Sequence, residues 1–157
     1  MLKPASLRAA LVAALPEYGR DPDRLVIFAE KGRIATRPTA AGEPANFNYE
    51  YRYDLRVILL DYSGHTDLVM LPVLQWLAVN QPDLLQVRAT ANEAIAFEAE
   101  FLSQEAADLE LTLRLTEAVR VERRDDGGTD LRHLEEPALV DPPLAENAVL
   151  RELGINP

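Results

Sequence analysis

Cysteine is absent from the 157-residue sequence, which excludes disulfide bonds and thiolate metal sites. Lysine and histidine are scarce, since Lys3 and Lys31 are the only lysines and His65 and His133 the only histidines. Amine catalysis and a histidine-rich metal centre therefore have few candidate residues. The sequence also lacks a glycine-rich phosphate loop and a nucleophile turn of the Gly-x-Ser-x-Gly type.

Long hydrophobic runs are missing too. The longest, at residues 68–74, is far shorter than the roughly 20 apolar residues that a membrane-spanning helix needs. The N-terminal segment is amphipathic and contains Arg8, and no apolar signal-peptide core follows it. We therefore expect neither a membrane segment nor a secretory leader.

Positive charge is in the minority, with 16 basic against 26 acidic residues and a net charge of −10. Nucleic-acid phosphates repel such a chain unless it carries a local basic patch. The arginines are scattered among acids, and Arg123 and Arg124 are followed directly by Asp125 and Asp126. The sequence therefore predicts no direct, sequence-specific binding of nucleic acid.

Hydrophobic residues make up 48% of the chain, which is a globular composition. Helical spacing of apolar residues predicts one helix over residues 4–15 and a second over residues 68–79, with Pro72 inside it. Residues 25–30 and 33–37 predict a hairpin that turns at Lys31 and Gly32. Residues 95–101 and 109–115 alternate and predict a second hairpin, whose second strand can extend to Val121.

The strongest pattern covers residues 47–60, where apolar and polar residues alternate in the manner of a strand. Fourteen residues span roughly 45 Å, which exceeds a typical strand. Its first half either projects from the domain or belongs to a long hairpin packed on the same domain. One side of this half is aromatic and is our candidate interface: Phe47, Tyr49, Tyr51 and Tyr53.

Together these elements predict an α+β fold, with an antiparallel or mixed sheet and two main helices on one face. Residues 1–122 form the predicted domain. Residues 123–157 contain turn residues and four prolines, and one short helix is expected over residues 144–153. We expect this acidic segment to be extended, or ordered only against a neighbour.

Candidate chemistry is sparse. Asp61, His65 and Asp67 lie close together in sequence, but a turn does not hold three such side chains on one face, and Ser63, Thr66 or Asp67 more plausibly caps the next helix. The tyrosine row resembles a stacking platform for bases, yet such platforms accompany a basic groove, which is missing here. We therefore expect a structural protein with no catalytic residue, metal or cofactor, and a protein interface at the aromatic row.

Several blocks of the sequence, in order, resemble the tail completion protein R family of contractile-tailed temperate phages. The blocks are residues 1–8 (MLKPASLR), 22–28 (PDRLVIF), 32–35 (GRIA), 52–55 (RYDL), 61–64 (DYSG), 72–77 (PVLQWL), 80–83 (NQPD) and 113–117 (LRLTE). The resemblance covers about residues 1–122 and is weakest in the acidic tail. Headless contractile bacteriocins and prophages use related parts, so the resemblance leaves the source open.

The resemblance implies a tail-terminator-like protein that caps or completes the tail tube so that a head can join it. It further implies other tail proteins (tube, sheath or connector) as partners, a homo-oligomer that is possibly a six-membered ring, and assembly in the host bacterial cytoplasm. Two other classes stay open. One is a tail-assembly chaperone or head–tail connector, and the other is a small-molecule-binding α+β domain centred on Asp61, His65 and Asp67.

Overall fold

A computed structural model of the chain describes residues 1–86, 91, 93–101 and 106–137. In this part of the chain four helices accompany a five-stranded sheet. The helices are α1 (Lys3–Ala14), α2 (Pro16–Arg20), α3 (Asp67–Asn80) and α4 (Asp83–Gln86), with a 3-10 turn at Pro22–Arg24. The strands are β1 (Leu25–Thr36), β2 (Tyr49–Tyr62), β3 (Ile95–Phe101), β4 (Ala107–Arg123) and β5 (Thr129–His133).

The sheet has the strand order β1-β2-β4-β3, and β5 also pairs with β4. Every pairing in the described residues is antiparallel. Because Val119 pairs with both Tyr49 and His133, β5 lies on the edge of β4 opposite to β2, further along that edge than β3. The predicted α+β fold with an antiparallel sheet is thus confirmed.

One face of the sheet carries the core, because the alternation in β2 and β4 places their apolar side chains on the same side. Helices α1 and α3 pack on this face, and several of their side chains are completely buried. The residues with no exposed surface are Leu7, Leu11, Leu55, Val57, Leu59, Val69, Val73, Leu77, Leu111 and Leu113. Two main helices therefore cover one face, as the sequence predicts.

The predicted hairpin at Lys31 and Gly32 is wrong, because β1 continues through both residues and pairs with β2 along its whole length. A shift in register between Ala29 and Lys31 accommodates one extra residue as a β-bulge, so the strand continues instead of reversing. Gly32 lies close to the neighbouring strand, since a Cβ added there would be 3.3 Å from the Tyr53 Cβ.

Strand β2 begins at Tyr49 and ends at Tyr62, two residues later at each end than predicted. Its first residue pairs with Thr36 of β1 and with Val119 of β4. The first half of β2 is therefore flanked by strands on both sides and does not project alone. Of the two alternatives that the sequence leaves open, the structure favours the one packed on the same domain.

Helix α3 runs through Pro72. Proline has no N–H, so the helix lacks the hydrogen bond that residue 72 would donate to the carbonyl of Leu68. None of the helices in the described residues is long and apolar enough to span a membrane.

The chain beyond residue 122 contributes to the sheet, which the sequence analysis does not predict. After a turn at residues 124–128, β5 pairs with the end of β4, from Val119↔His133 to Arg123↔Thr129. The predicted boundary at residue 122 thus lies within this hairpin. The predicted helix at residues 144–153 lies outside the described residues.

Three buried tyrosines give the fold a predicted response to alkaline pH. Burial raises the pKa of Tyr18 and that of Tyr62 to about 12, and it raises the pKa of Tyr53 further. In the unfolded chain these groups ionise near pH 10. The contribution of these three phenols to the free energy of unfolding is therefore fully present below pH 10, and it should be lost as the pH rises from 10 towards 12 and beyond.

Phenolate absorbance during an alkaline titration, followed with circular dichroism, tests this expectation. The phenols of Tyr18, Tyr53 and Tyr62 should ionise above pH 10, at the pH at which the circular dichroism signal is lost. The Tyr18→Phe variant should show one fewer phenol in this late phase. Titration of all tyrosines near pH 10 in the folded protein would contradict the prediction.

Candidate functional site

The structure separates the four predicted interface residues into different environments. Phe47 precedes β2 and is 69% exposed, whereas Tyr53 is only 5% exposed and belongs to the core. Tyr49 and Tyr51 are half-buried, and their rings meet edge to face with centroids 5.2 Å apart. Tyr53 is thus not available to a partner, because helix packing covers the row from that position onward.

Further apolar side chains join Tyr49 and Tyr51 on the same face of the sheet, beyond the end of the helical layer. Ile34 pairs with Tyr51 and is 58% exposed, and Leu131 of β5 pairs with Val121 and is 64% exposed. We call this set the aromatic patch: Ile34, Tyr49, Tyr51, Val121 and Leu131. Sequence reasoning missed Leu131, because it stands alone between Asp130 and Arg132 and gives no period-two signal.

A buried carboxylate, Glu117, lies next to the aromatic patch. It is 4% exposed and accepts a hydrogen bond from the Tyr53 hydroxyl at 2.5 Å. It also accepts from the backbone N–H of Leu2 at 2.6 Å and of Lys3 at 3.3 Å. Burial, together with this carboxylate, raises the pKa of Tyr53, so the phenol remains a donor. Glu117 therefore fixes the start of α1 to the sheet.

The side chain of Lys3 forms the second half of the same buried polar network. Its Nζ donates to Gln81 Oε1 at 2.6 Å, to the Thr116 carbonyl at 2.7 Å and to Glu136 Oε1 at 3.1 Å. Gln81 is 1% exposed and also accepts from the Thr116 N–H at 3.0 Å. Lys3 and Gln81 thus satisfy the backbone of β4 at Thr116, between the stretches paired with β3 and β5.

His133 connects β5 to this network. Its Nδ1 is buried, and it lies 3.2 Å from Glu117 Oε2 without a hydrogen bond among the described residues. A protonated imidazole would form an ion pair with the carboxylate at this distance. The segment that follows β5 is held by the Leu134 N–H, which donates to the Ala118 carbonyl, and by the Lys3–Glu136 ion pair.

The three residues of the alternative site belong to different elements: Asp61 lies near the end of β2, whereas His65 and Asp67 lie at the start of α3. His65 Nδ1 accepts a hydrogen bond from the Asp67 N–H at 3.2 Å, and both side chains are more than half exposed. Thr66 is the N-cap residue of α3, but its side chain makes no capping hydrogen bond. Within the described residues, no group of three or more His, Asp or Glu side chains is placed to hold a metal ion.

Comparison with known proteins identifies the class. The family described as P2 phage tail completion protein R (GpR) matches residues 1–137. Tail completion protein R of Escherichia phage P2 is 37% identical over 142 residues, which cover 90% of this chain and 88% of that protein. No solved structure matches the chain significantly. The chain belongs to the P2 phage tail completion protein R family.

The resemblance drawn from the sequence blocks is therefore confirmed, and the family match extends through β5 to residue 137. The protein has a structural role in tail completion and is a component of the phage tail. The buried network and the aromatic patch lie at the same end of the sheet, where β2 begins and β4 extends beyond β3.

Proposed function

We propose that the protein acts as a homo-oligomer in the form of a six-membered ring, which caps the tail tube and prepares it for head joining. It would assemble in the host cytoplasm and would act through contacts with other tail proteins, without catalysis. The observation that supports this proposal is the aromatic patch, which exposes apolar side chains at one end of a well-packed domain. Exposed apolar clusters of this kind are typical of protein interfaces.

The aromatic patch is the proposed contact between neighbouring subunits or between a subunit and the tube. Tyr49 and Tyr51 present rigid rings with polar tips, which is the composition favoured in interface cores. Leu131 of β5 brings the beginning of the acidic tail into the same surface. A ring requires heterologous contacts, so this patch would meet a different surface on the next subunit.

Aspartate at both tyrosine positions (Tyr49→Asp with Tyr51→Asp) is expected to leave the domain folded and to abolish its incorporation into tails. Both side chains are only half-buried, so charge at these positions disfavours association more than folding. Tails assembled in cells that express the variant are purified and blotted for the protein, and infectious particles are counted. A loss of infectious particles of roughly 100-fold or more is expected, as for the truncation of an interface hot spot.

The matched control replaces Leu71 and Leu74 by aspartate, since both are exposed apolar residues of α3 outside the aromatic patch. Normal incorporation of the tyrosine variant would refute the patch as an interface. The mass of the purified wild-type protein, measured by light scattering, shows whether a ring forms before it meets the tube. A mass below that of a hexamer would mean that the ring forms only when subunits meet the end of the tail tube.

A tail-assembly chaperone or a head–tail connector adaptor is the second candidate role. The two roles differ in whether the protein stays in the particle. A terminator is present in finished virions in fixed proportion to the tube end, whereas a chaperone is absent from them. Quantitative mass spectrometry of purified virions distinguishes these roles.

Small-molecule binding has weaker support. Two open clefts of about 380 and 490 Å³ lie on the sheet, and strand residues such as Arg52 line both. Neither cleft contains Asp61, His65 or Asp67. Under the structural role, His65→Ala is expected to remove only the hydrogen bond that the Asp67 N–H donates at the start of α3. Tail assembly by this variant should therefore remain normal.

A further inference from the structure

The side of α3 that points away from the sheet is apolar and exposed. Helix α3 contains a single charged residue, Asp67, among its 14 residues. Its outward side chains include Leu71, which is 37% exposed, Leu74, which is 42% exposed, and Val79, which is 43% exposed. A helix that is apolar all round is typical of a position covered on all sides, so we expect a further segment to pack on this helix.

Helix α1 continues this surface beside α3. Three alanines of α1 recur every four residues and are exposed. The two helices are antiparallel neighbours, because Lys3 donates to Gln81 and the Trp76 indole N–H donates to Ser6 Oγ at 3.0 Å. Together the outward residues of both helices form a surface that we call the outer helix face: Ala5, Ala9, Ala13, Leu71, Leu74 and Val79.

The described part of the chain ends at one end of the outer helix face. Glu136 Oε1 lies 3.1 Å from the Nζ of Lys3, the first residue of α1. The same Nζ donates to Gln81, the residue that follows α3. Residue 136 therefore lies where α1 begins and α3 ends, and residues 138–157 continue the chain from this point.

The continuing segment is long enough to lie along the outer helix face. Six residues, 138–143, can bridge up to roughly 20 Å. The helix that the sequence predicts over residues 144–153 would be roughly 15 Å long. Helix α3 has 14 residues and is therefore roughly 21 Å long. A helix of residues 144–153 that begins beside Gln81 can thus extend along most of α3.

The sequence of this segment also suits an apolar surface. In a helix over residues 144–153, Ala145, Val149 and Leu153 recur every four residues and share one side. Asn147 and Arg151 lie on the opposite side of such a helix. A helix with one apolar stripe needs another apolar surface on which to bury it. The outer helix face is such a surface within the reach of the segment.

We propose that residues 144–153 bind the outer helix face of their own chain as a further helix, which runs parallel to α1 and covers Leu71 and Leu74. The connection through residues 138–143 holds the segment at a high effective concentration, which favours binding within one chain over binding to a second copy. A face covered in this way is not offered to a tail protein. This proposal does not depend on the role in tail completion.

Cross-linking of the full-length chain tests the proposal, and the lack of native cysteine makes the linkage specific. The test variant carries Leu74→Cys with Val149→Cys, and the control carries Arg120→Cys with Val149→Cys. Arg120 is exposed on the opposite face of the sheet and pairs with Arg132 near the end of β5, so a segment that does not dock can reach it. A short bis-maleimide links each pair, and the mass of the product distinguishes linkage within a chain from linkage between chains.

Linkage within one chain is expected to be roughly tenfold faster, or more, for the Leu74 pair than for the Arg120 pair. Addition of Leu153→Asp should lower the faster rate to that of the control, because a charge would then have to be buried against an apolar surface. Addition of Asn147→Asp introduces the same charge on the other side of the segment and should leave the faster rate unchanged.

Equal rates for the two cysteine pairs overturn the proposal, and so does an equal effect of the two aspartates. A product with the mass of two chains also overturns it, because a second copy would then occupy the face. Circular dichroism confirms that each variant is folded before it is cross-linked, and Leu71→Cys replaces Leu74→Cys if the latter unfolds. Tail incorporation is measured separately, so a failure here leaves the role in tail completion as it stands.

Discussion

Alanine at position 117 (Glu117→Ala) is expected to lower the free energy of unfolding by about 3–5 kcal/mol. The carboxylate is buried and accepts hydrogen bonds from the Tyr53 hydroxyl and from the N–H groups of Leu2 and Lys3. Its removal leaves these donors without a partner in a region closed to water, and a buried donor without a partner is costly. Urea denaturation followed by circular dichroism measures the change.

Glu122→Ala on the same strand is the matched control. Glu122 lies close to Arg120 at the surface, with 43% of its side chain exposed, so its loss should change stability by about 0.5 kcal/mol or less. Glu117→Gln retains the shape and one acceptor and should fall between the two. If Glu117→Ala costs less than about 1 kcal/mol, water replaces the carboxylate and the network does not hold the N-terminus.

The second large effect is expected at Leu111, whose replacement by alanine should cost about 2–5 kcal/mol. Leu111 has no exposed surface and lies in the centre of the sheet, against the helices. Phe97 pairs with it across β3 and β4 and points to the same face, but it is 61% exposed at the sheet edge. Phe97→Ala should therefore cost less than about 1 kcal/mol, although phenylalanine is the larger residue.

Thermal and urea unfolding of the two variants give this comparison directly. Equal losses would mean that another chain or segment covers Phe97 in solution. A small loss for Leu111→Ala would mean that the core collapses into the vacated volume with little penalty. The period-two pattern places Leu111 and Phe97 on the same face of the sheet. A difference between the two variants therefore reports the burial of each side chain, which the pattern does not show.

The period-two alternation determined β2, β3 and β4, and the 3.6-residue period determined α1 and α3, because these patterns depend only on which side chains face the core. The match between sequence and structure is close for these elements. The hairpin predicted at Lys31 and Gly32 failed for a specific reason. A Lys-Gly pair indicates a turn locally, but the pairing of eleven residues of β1 with β2 outweighs that preference.

Strand β5 escaped prediction because five residues with a single apolar side chain, Leu131, carry no periodic signal. Its position depends on the edge of β4 beyond β3, and the sequence of residues 129–133 does not show that this edge is there to pair with. The aromatic row was recognised correctly as a strand, but its pattern does not show where the helical layer ends. That boundary places Tyr53 in the core and leaves Tyr49 and Tyr51 at the surface.

By itself the sequence determined the composition class, the main helices and strands, the lack of catalytic motifs and the family, because each depends on local patterns or on ordered blocks of residues. Only the tertiary structure decided which residues meet. It brought Lys3 to Gln81 across 78 positions and to Glu117 across 114 positions, and it aligned like charges across neighbouring strands on the face of the sheet opposite α1 and α3. Such contacts depend on register and topology, which are set by the packing of the whole sheet.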